Sequence, residues 1–427
     1  MHGKLARTAA RVAAAGAITA AGLGCAQVAQ AAPAVVHVPC SARTLAADIA
    51  SASSGEELSL APSCVYRLTA GLPVVSQDLT ILGNRATLER SYAPATPAFT
   101  ILQADAGALT VSKLNFRHGN GAIAVTGAAT LTVNAGTFAG NTAADGGAIL
   151  DNSTGGNGPQ VNGATFTANT ATGAGGAIAN IPIANNRPGE NGGVQVTDST
   201  FTANRGRAIF DNDAPAQPGV RVTDSTFTAN TGGAISDSSV SEVVTGSVFS
   251  GNTAEYGGAL AFNPDGGATL SRVVIHGNKA TADGGGIWIF NGGLFVENSS
   301  ISGNHAGGRG GGLCTCSTQG GEDKVADTDI RGNSAGDGGG IYNTTQGMDL
   351  TNVKISGNYA SAYGGGIYNL GSVGAVNTRI IRNRAATGGG GIYDSTSAAA
   401  AFLTNSPVLY NKPDNCEPAG SITGCTG

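Results

Sequence analysis

The octapeptide Thr197-Asp198-Ser199-Thr200-Phe201-Thr202-Ala203-Asn204 returns letter for letter at residues 223–230, one step of 26 residues further on. Loosened to an apolar residue, two others and an asparagine, the pattern continues both ways. It gives Phe138–Asn141, Phe166–Asn169, Phe201–Asn204, Phe227–Asn230 and Phe249–Asn252, then Ile275–Asn278, Ile301–Asn304, Ile330–Asn333, Ile355–Asn358, Ile380–Asn383 and Val408–Asn411, at intervals of 22 to 35 residues. Behind most of these asparagines comes a second element, at Gly146–Ile149, Gly175–Ile178, Gly232–Ile235, Gly257–Leu260, Gly284–Ile287, Gly338–Ile341, Gly364–Ile367 and Gly389–Ile392. Two repeats depart from it, at Gly206-Arg207-Ala208-Ile209 and in the glycine-rich run ending at Leu313. Self-similarity at this period marks a stacked architecture in which each repeat buries its apolar face only against its neighbours.

The residue types describe one turn of such a stack. The Phe or Ile is expected to point inward from a short strand. The Asn three residues later is expected at a bend, in left-handed backbone, with its amide bonding the next coil. The glycine pair allows unusual dihedrals and close backbone approach at the next corner, after which Ile or Leu enters the core on a new strand. Short period-2 strands without any helical period predict an all-β fold, a right-handed parallel β-helix with coils about 4.8 Å apart, over residues 101–411. Residues 32–100 read as an N-terminal cap with the first irregular coils. There Leu45 and Ile49 stand at helical spacing, and Leu58, Leu60, Leu79–Leu82 and Ala86–Leu88 read as early strands. Residues 412–427 form a short tail.

Composition agrees. Glycine supplies 68 of 427 residues without a G-X-Y period, charged residues are 12% and hydrophobic residues 41%, which excludes collagen, polar disorder and a charged nucleic-acid binder. Lys4, Arg7 and Arg11, an apolar stretch from Val12 to Leu23, and Ala29-Gln30-Ala31 read as a secretory signal over residues 1–31. A lipoprotein alternative at Cys25 is weakened because Gly22 stands where a lipobox wants leucine. Cleavage would leave 20 basic and 28 acidic residues, so neither nucleic acid nor an anionic membrane is an expected partner. No stretch of 18 apolar residues follows, so no membrane span is expected. The chain is read as a secreted, extracellular monomer that could be held at the cell surface.

Six cysteines then remain, an even number for an oxidising compartment. Cys40 with Cys64 and Cys416 with Cys425 are expected to tie the two ends. Cys314 and Cys316, two apart on one strand, would have Cα atoms about 6.5–7 Å apart, at the edge of disulfide reach. A disulfide is still preferred to a zinc site, because no second Cys or His pair completes one.

The alternating F-x-x-N and G-G-A-I elements resemble the passenger repeats of the chlamydial polymorphic outer-membrane proteins and of many secreted bacterial right-handed β-helix proteins, over about residues 116–411. The resemblance implies the β-helix and an adhesive role. Export and anchoring by a C-terminal barrel are not expected to carry over, since sixteen residues follow Asn411.

Stacking turns equivalent positions into columns. Beside the second element the outward pairs are Ala148-x-Leu150 through Ala259-x-Ala261 in the first half. In the second half they are Gly286-x-Trp288, Gly312-x-Cys314, Gly340-x-Tyr342, Gly366-x-Tyr368 and Gly391-x-Tyr393. This reads as a glycine floor beside an aromatic ledge on which Trp288, Tyr342, Tyr368 and Tyr393 could stack sugar rings. The blander reading is that the tyrosines stack only on one another. Asp283, Arg309 and Asp337 precede the glycine runs, the two carboxylates two coils apart, about 9–10 Å, near the spacing of an inverting glycosidase. An alternating-charge ladder explains the same letters more simply. Asp198, Asp224, Asn298, Asp327, Asn352 and Asn377 form a third column that would accommodate Ca²⁺, though Asx turns account for it and are preferred. His37, His118, His276 and His305 share no motif with a nucleophile, so no catalytic residue, cofactor or resident metal is assigned.

Two functions remain. The favoured one is a non-catalytic, adhesin-like protein binding an extracellular polysaccharide or a cell surface. The alternative is a polysaccharide lyase or glycoside hydrolase. Against it, the chain has His-Gly-Asn at 118–120 and 276–278 where polygalacturonase-like proteins have Gly-His-Gly, and its cations are scattered in sequence.

Overall fold

The computed structural model describes residues 35–154, 156–182, 191–212, 218–263, 267–316, 321–345, 347–395, 401–420 and 422–425; the expected leader and Cys25 lie outside the described residues. One coil shows how the repeat folds. A strand at Gly293–Glu297 bends at Asn298 into Ser300–Ser302, and the chain turns again at Gly303-Asn304 into His305–Ala306. A glycine corner then leads into Leu313–Thr315. Along Gly293–Glu297, Leu294 and Val296 are buried while Phe295 and Glu297 are exposed, the alternation a pleated strand imposes.

Each coil lies parallel and in register on the next, with Val296 beside Val325, Ile301 beside Ile330 and Leu313 beside Ile341. The described strands stack into a long sheet of 27 strands, a second of 13 and a short third of six. The result is a parallel β-solenoid of about 14 turns.

Three interior columns hold the coils. Phe116, Phe138, Phe166, Phe201, Phe227 and Phe249 form an unbroken stack with ring centroids 4.6–5.0 Å apart and planes within 10° of parallel. From Ile275 to Ile380 isoleucine replaces phenylalanine in this column, and Val408 ends it. The second column runs through Ile149, Ile178, Ile209, Ile235, Leu260, Ile287, Leu313, Ile341, Ile367 and Ile392, all buried. The third is the asparagine ladder. Asn278 donates to the Phe249 carbonyl at 3.0 Å and to Asn304 Oδ1 at 3.0 Å, while its own Oδ1 accepts from the backbone N–H and the side-chain amide of Asn252, both at 2.9 Å. Both amide protons and the carbonyl are thus used, which is what lets a polar side chain lie buried in an apolar stack.

One expectation about this corner is corrected. The left-handed residue is not the asparagine but the one before it: Ala168, Ala203, Ala229 and Arg382 have φ of 52–55°, and Gly277, Gly303, Gly332 and Gly357 have φ of 60–64°. The asparagine is selected for its amide, and its neighbour absorbs the turn.

At the N-terminal end the helix Ala42–Ser51 is capped by the Ser41 side chain, which accepts from the Thr44 N–H at 3.3 Å, and buries Leu45 and Ile49. The long sheet already runs through this segment, because Val35–Val38 pairs with Glu56–Leu60, that strand with Leu79–Leu82, and that with Ala108–Ser112. The disulfides Cys40–Cys64, Cys416–Cys425 and Cys314–Cys316 are present. The Cα atoms of Cys314 and Cys316 are 5.3 Å apart, closer than an extended strand allows, because the strand ends at Thr315. No helix among the described residues is long and apolar enough to cross a membrane.

Candidate functional site

Trp288, Cys314, Tyr342, Tyr368 and Tyr393 occupy one register column of the second sheet. Its C-terminal part is packed. Tyr342 is only 4% exposed and stacks on Tyr368 at 4.9 Å, and Tyr368 meets Tyr393 at 5.0 Å. Burial raises the pKa of both Tyr342 and Tyr393. The Arg309 guanidinium lies 5.2 Å from the centre of the Tyr342 ring and covers it further. Trp288 behaves differently. Cys314 separates it from the tyrosines, and its ring packs with Tyr256 of the preceding coil at 5.2 Å and with Phe290 at 5.5 Å. Tyr256 is 41% exposed and Phe290 44%, so these three rings make a continuous aromatic patch open to solvent.

The expected glycine floor is not on this surface. The bend from the corner into the strand turns Gly286, Gly312, Gly340, Gly366 and Gly391 inward, where all five are buried. A Cβ on Gly340 would lie 2.6 Å from the Gly366 carbonyl and 3.2 Å from Ile355 Cγ2. These positions are small because the next coil and the isoleucine column fill the space, and they give a ligand no floor.

Asp283, Arg309 and Asp337 stand in register as expected, the backbone of Arg309 pairing in parallel with that of Asp337. One oxygen of each carboxylate is held by backbone. The Arg309 N–H donates to Asp283 Oδ1 at 2.7 Å, and the Tyr363 N–H donates to Asp337 Oδ1 at 3.0 Å. Each aspartate thereby fastens the corner of the following coil. The third column has a backbone cause as well: Asp198, Asp224, Asn298, Asp327, Asn352 and Asn377 all have φ between 47° and 56°, a conformation that Asx residues tolerate best after glycine. Among the described residues no group of three His, Cys, Asp or Glu side chains is placed to hold a metal ion.

Buried acids were not anticipated from sequence. Two residues beyond the core isoleucine, on the same inward face, stand Asp151, Asp211, Asp237 and Asp394, with Asn180, Asn343 and Asn369 at the same position of other coils. The period-2 rule applied to Ile-x-Asp would have found them. Asp237 accepts from the Val220 N–H and from both the N–H and hydroxyl of Ser239. Burial raises its pKa. Beside it lies Glu242, fully buried, with no hydrogen-bond partner for either carboxyl oxygen among the described residues. Burial first, and the Asp237 charge second, push the Glu242 pKa up to about 9. Burial also raises Asp151 and Asp323 to about 6 each.

The cations also need correction. Scattered in sequence, Arg331, Lys354, Arg379 and Arg382 are brought together along one groove of the long sheet.

With the fold in view, the chain is similar to several solved structures, three of which follow. Tailspike protein 3 of bacteriophage CBA120 matches over 87% of this chain with a TM-score of 0.52 and 12% identity; this chain spans 60% of that protein's length. The periplasmic alginate epimerase AlgG, in a mutant form, matches 88% of this chain and 84% of its own at a TM-score of 0.42 and 12% identity. PfbA, a surface adhesin of Streptococcus pneumoniae, matches 85% of this chain and 86% of its own at 0.38 and 12%. At such identity the likeness is one of fold, and of these only the tailspike passes a TM-score of one half. No protein-family model matches this sequence, the chlamydial repeats included, and no curated protein matches it.

Proposed function

We propose that this is a secreted or cell-surface β-solenoid that binds an extended glycan without cleaving it, in the manner of an adhesin. The observation that carries the reading is the solvent-open patch of Tyr256, Trp288 and Phe290 on the side of a rigid rod. Aromatic rings offer flat apolar faces that match the C–H faces of sugars, and rings pinned by neighbouring coils lose little freedom on binding. The three disulfides fit an oxidising compartment. At the glycine corners, Asp283 and Asp337 each accept a backbone N–H of the following coil through one oxygen, which supports a structural role for them.

A glycan array probed with the wild type and with Tyr256→Ala and Phe290→Ala tests this. Each substitution should weaken glycan binding about tenfold, the worth of one stacked ring, and leave thermal unfolding unchanged. Unaltered binding in both variants would refute the assignment to this patch. Release of oligosaccharides from any bound polysaccharide would make the protein an enzyme instead.

A further inference from the structure

We infer that the chain has a second binding site, on a different sheet from the aromatic patch, that takes an anionic polysaccharide. The groove runs along the outer edge of the long sheet where the chain bends into the asparagine ladder, and encloses about 660 Å³. Its floor is Gly303, Gly332 and Gly357 on successive coils, each left-handed at φ 60–64°. A Cβ on Gly332 or Gly357 would meet nothing within 4 Å, so the floor is open to a ligand. Here the bare glycine strip does face solvent.

The walls are cationic. Lys354 and Arg379 are register partners on adjacent coils, about 4.8 Å apart, and Arg331 stands one coil below Lys354. Arg382 occupies the bend position held by glycine in the four coils before it and carries φ of 55° there. All four side chains are exposed. Arg331 pairs with Asp329, the register partner of Lys354, Nη1 to Oδ2 at 2.6 Å. Lys354, Arg379 and Arg382 form no ion pair with a described residue. Around the bend, Arg384 and Lys412 are bridge partners that continue the line. A chain of formal charge −5 thus places a run of like charges on neighbouring coils, where they repel one another unless an anion is bound. Their spacing along the rod follows the coil repeat, which suits a polymer with regularly spaced charges better than a small anion. Ser302 and Ser356 add hydroxyls, and the groove lining contains no aromatic ring on which a nucleic-acid base could stack.

The test is titration of the full chain with polygalacturonate, dextran sulfate, neutral dextran and single-stranded DNA. Polygalacturonate or dextran sulfate should bind, more weakly as salt is raised, and neutral dextran should not bind at this groove; which of the two binds more tightly separates carboxylate from sulfate recognition. The triple variant Lys354→Gln, Arg379→Gln, Arg382→Gly should lower polyanion affinity tenfold to a hundredfold, as expected for three exposed charge contacts, with unfolding temperature retained. Arg382→Gly restores the residue of the preceding coils, so folding is not at risk. Phe290→Ala should leave polyanion binding intact, so failure here and failure of the aromatic site are read separately. Polyanion binding unchanged in the triple variant, no binding of either polyanion, or DNA bound as tightly as polygalacturonate would each overturn the inference.

Discussion

The coils from Phe138 to Phe262 and those from Ile275 to Asp394 share one backbone path but distribute their side chains oppositely. In the first set each phenylalanine of the stack goes with a buried alanine at the corner: Phe138 with Ala148, Phe166 with Ala177, Phe201 with Ala208, Phe227 with Ala234 and Phe249 with Ala259. In the second each isoleucine of the same column goes with glycine: Ile275 with Gly286, Ile301 with Gly312, Ile330 with Gly340, Ile355 with Gly366 and Ile380 with Gly391. The cause is steric. A Cβ on Gly286 or Gly340 would first meet the next coil's carbonyl, of Gly312 or Gly366, at 2.6 Å, and then an isoleucine Cγ2 at 3.2 Å, from Ile275 of its own coil or Ile355 of the next, whereas a stacked phenyl ring is unbranched at Cβ. Aromatic rings then reappear outside, as the tyrosine ladder and the patch at Trp288, and the groove cations lie in this second set too. The first set is built mainly for cohesion, and the second presents the cationic groove and, with Tyr256 from the last coil of the first, the aromatic patch.

The largest expected difference comes from Glu242, which belongs to the first set. Its folded pKa, about 9, is raised above the ordinary glutamate value, so its contribution to stability is complete below that ordinary value and is lost as pH rises toward 9. The slope approaches about 1.4 kcal/mol per pH unit for one proton. Glu242→Gln keeps the shape of the neutral acid and cannot ionise. It should match the wild type near about pH 5 and unfold at distinctly higher temperature near about pH 8.5. Equal melting temperatures at the higher pH would mean that Glu242 reaches water.

Next in size is the phenylalanine stack. Phe201→Ala removes a ring that touches stacked partners on both sides and should cost about 3–5 kcal/mol, measured by denaturant unfolding. Ile330→Val, at the equivalent place in the second set, should cost about 0.5–1.5 kcal/mol. A loss below about 2 kcal/mol for Phe201→Ala would show that the stacked rings contribute no more than an ordinary apolar side chain.

The corner pairing can be broken from either side. Gly340→Ala should cost about 1–3 kcal/mol, because the Gly366 carbonyl cannot retreat without shifting a coil. Ala234→Gly in the first set should cost about 1 kcal/mol, chiefly backbone entropy. Adding Ile355→Leu, which moves the branch from Cβ to Cγ, should recover part of the Gly340→Ala loss. No recovery would assign the glycine to backbone approach alone.

The repeat made the fold legible, since a recurrent Phe or Ile, an asparagine and a glycine corner each have one place in a stacked coil. The site was less legible, for reasons of direction and register. Gly340 and Tyr342 are two apart, which by strand period alone puts them on one outward face, but the bend from the glycine corner into the strand Ile341–Asn343 turns Gly340 inward. Arg331, Lys354, Arg379 and Arg382 look scattered at intervals of 23, 25 and 3 residues until the coil length is subtracted, and only pairing shows that Lys354 and Arg379 are neighbours. Asp237 and Glu242 are close in sequence, but their shared burial depends on the loop between them.

The smallest effect separates packing from binding on the outer face of the second set. Tyr368 lies between Tyr342 and Tyr393, at 4.9 and 5.0 Å, and is half-buried, so Tyr368→Ala should lower stability by about 1 kcal/mol, the worth of ring contacts on a partly covered surface. It should leave glycan binding unchanged. Phe290 has one ring partner and 44% of its surface in solvent, so Phe290→Ala should do the reverse, costing little stability and about tenfold in affinity. Thermal unfolding and array binding of both variants give four measurements with opposite signs of effect. If Tyr368→Ala also reduced binding, the ligand would extend along the tyrosine ladder across Cys314, and the binding surface would span the coils from Tyr256 to Tyr393 rather than ending at Trp288.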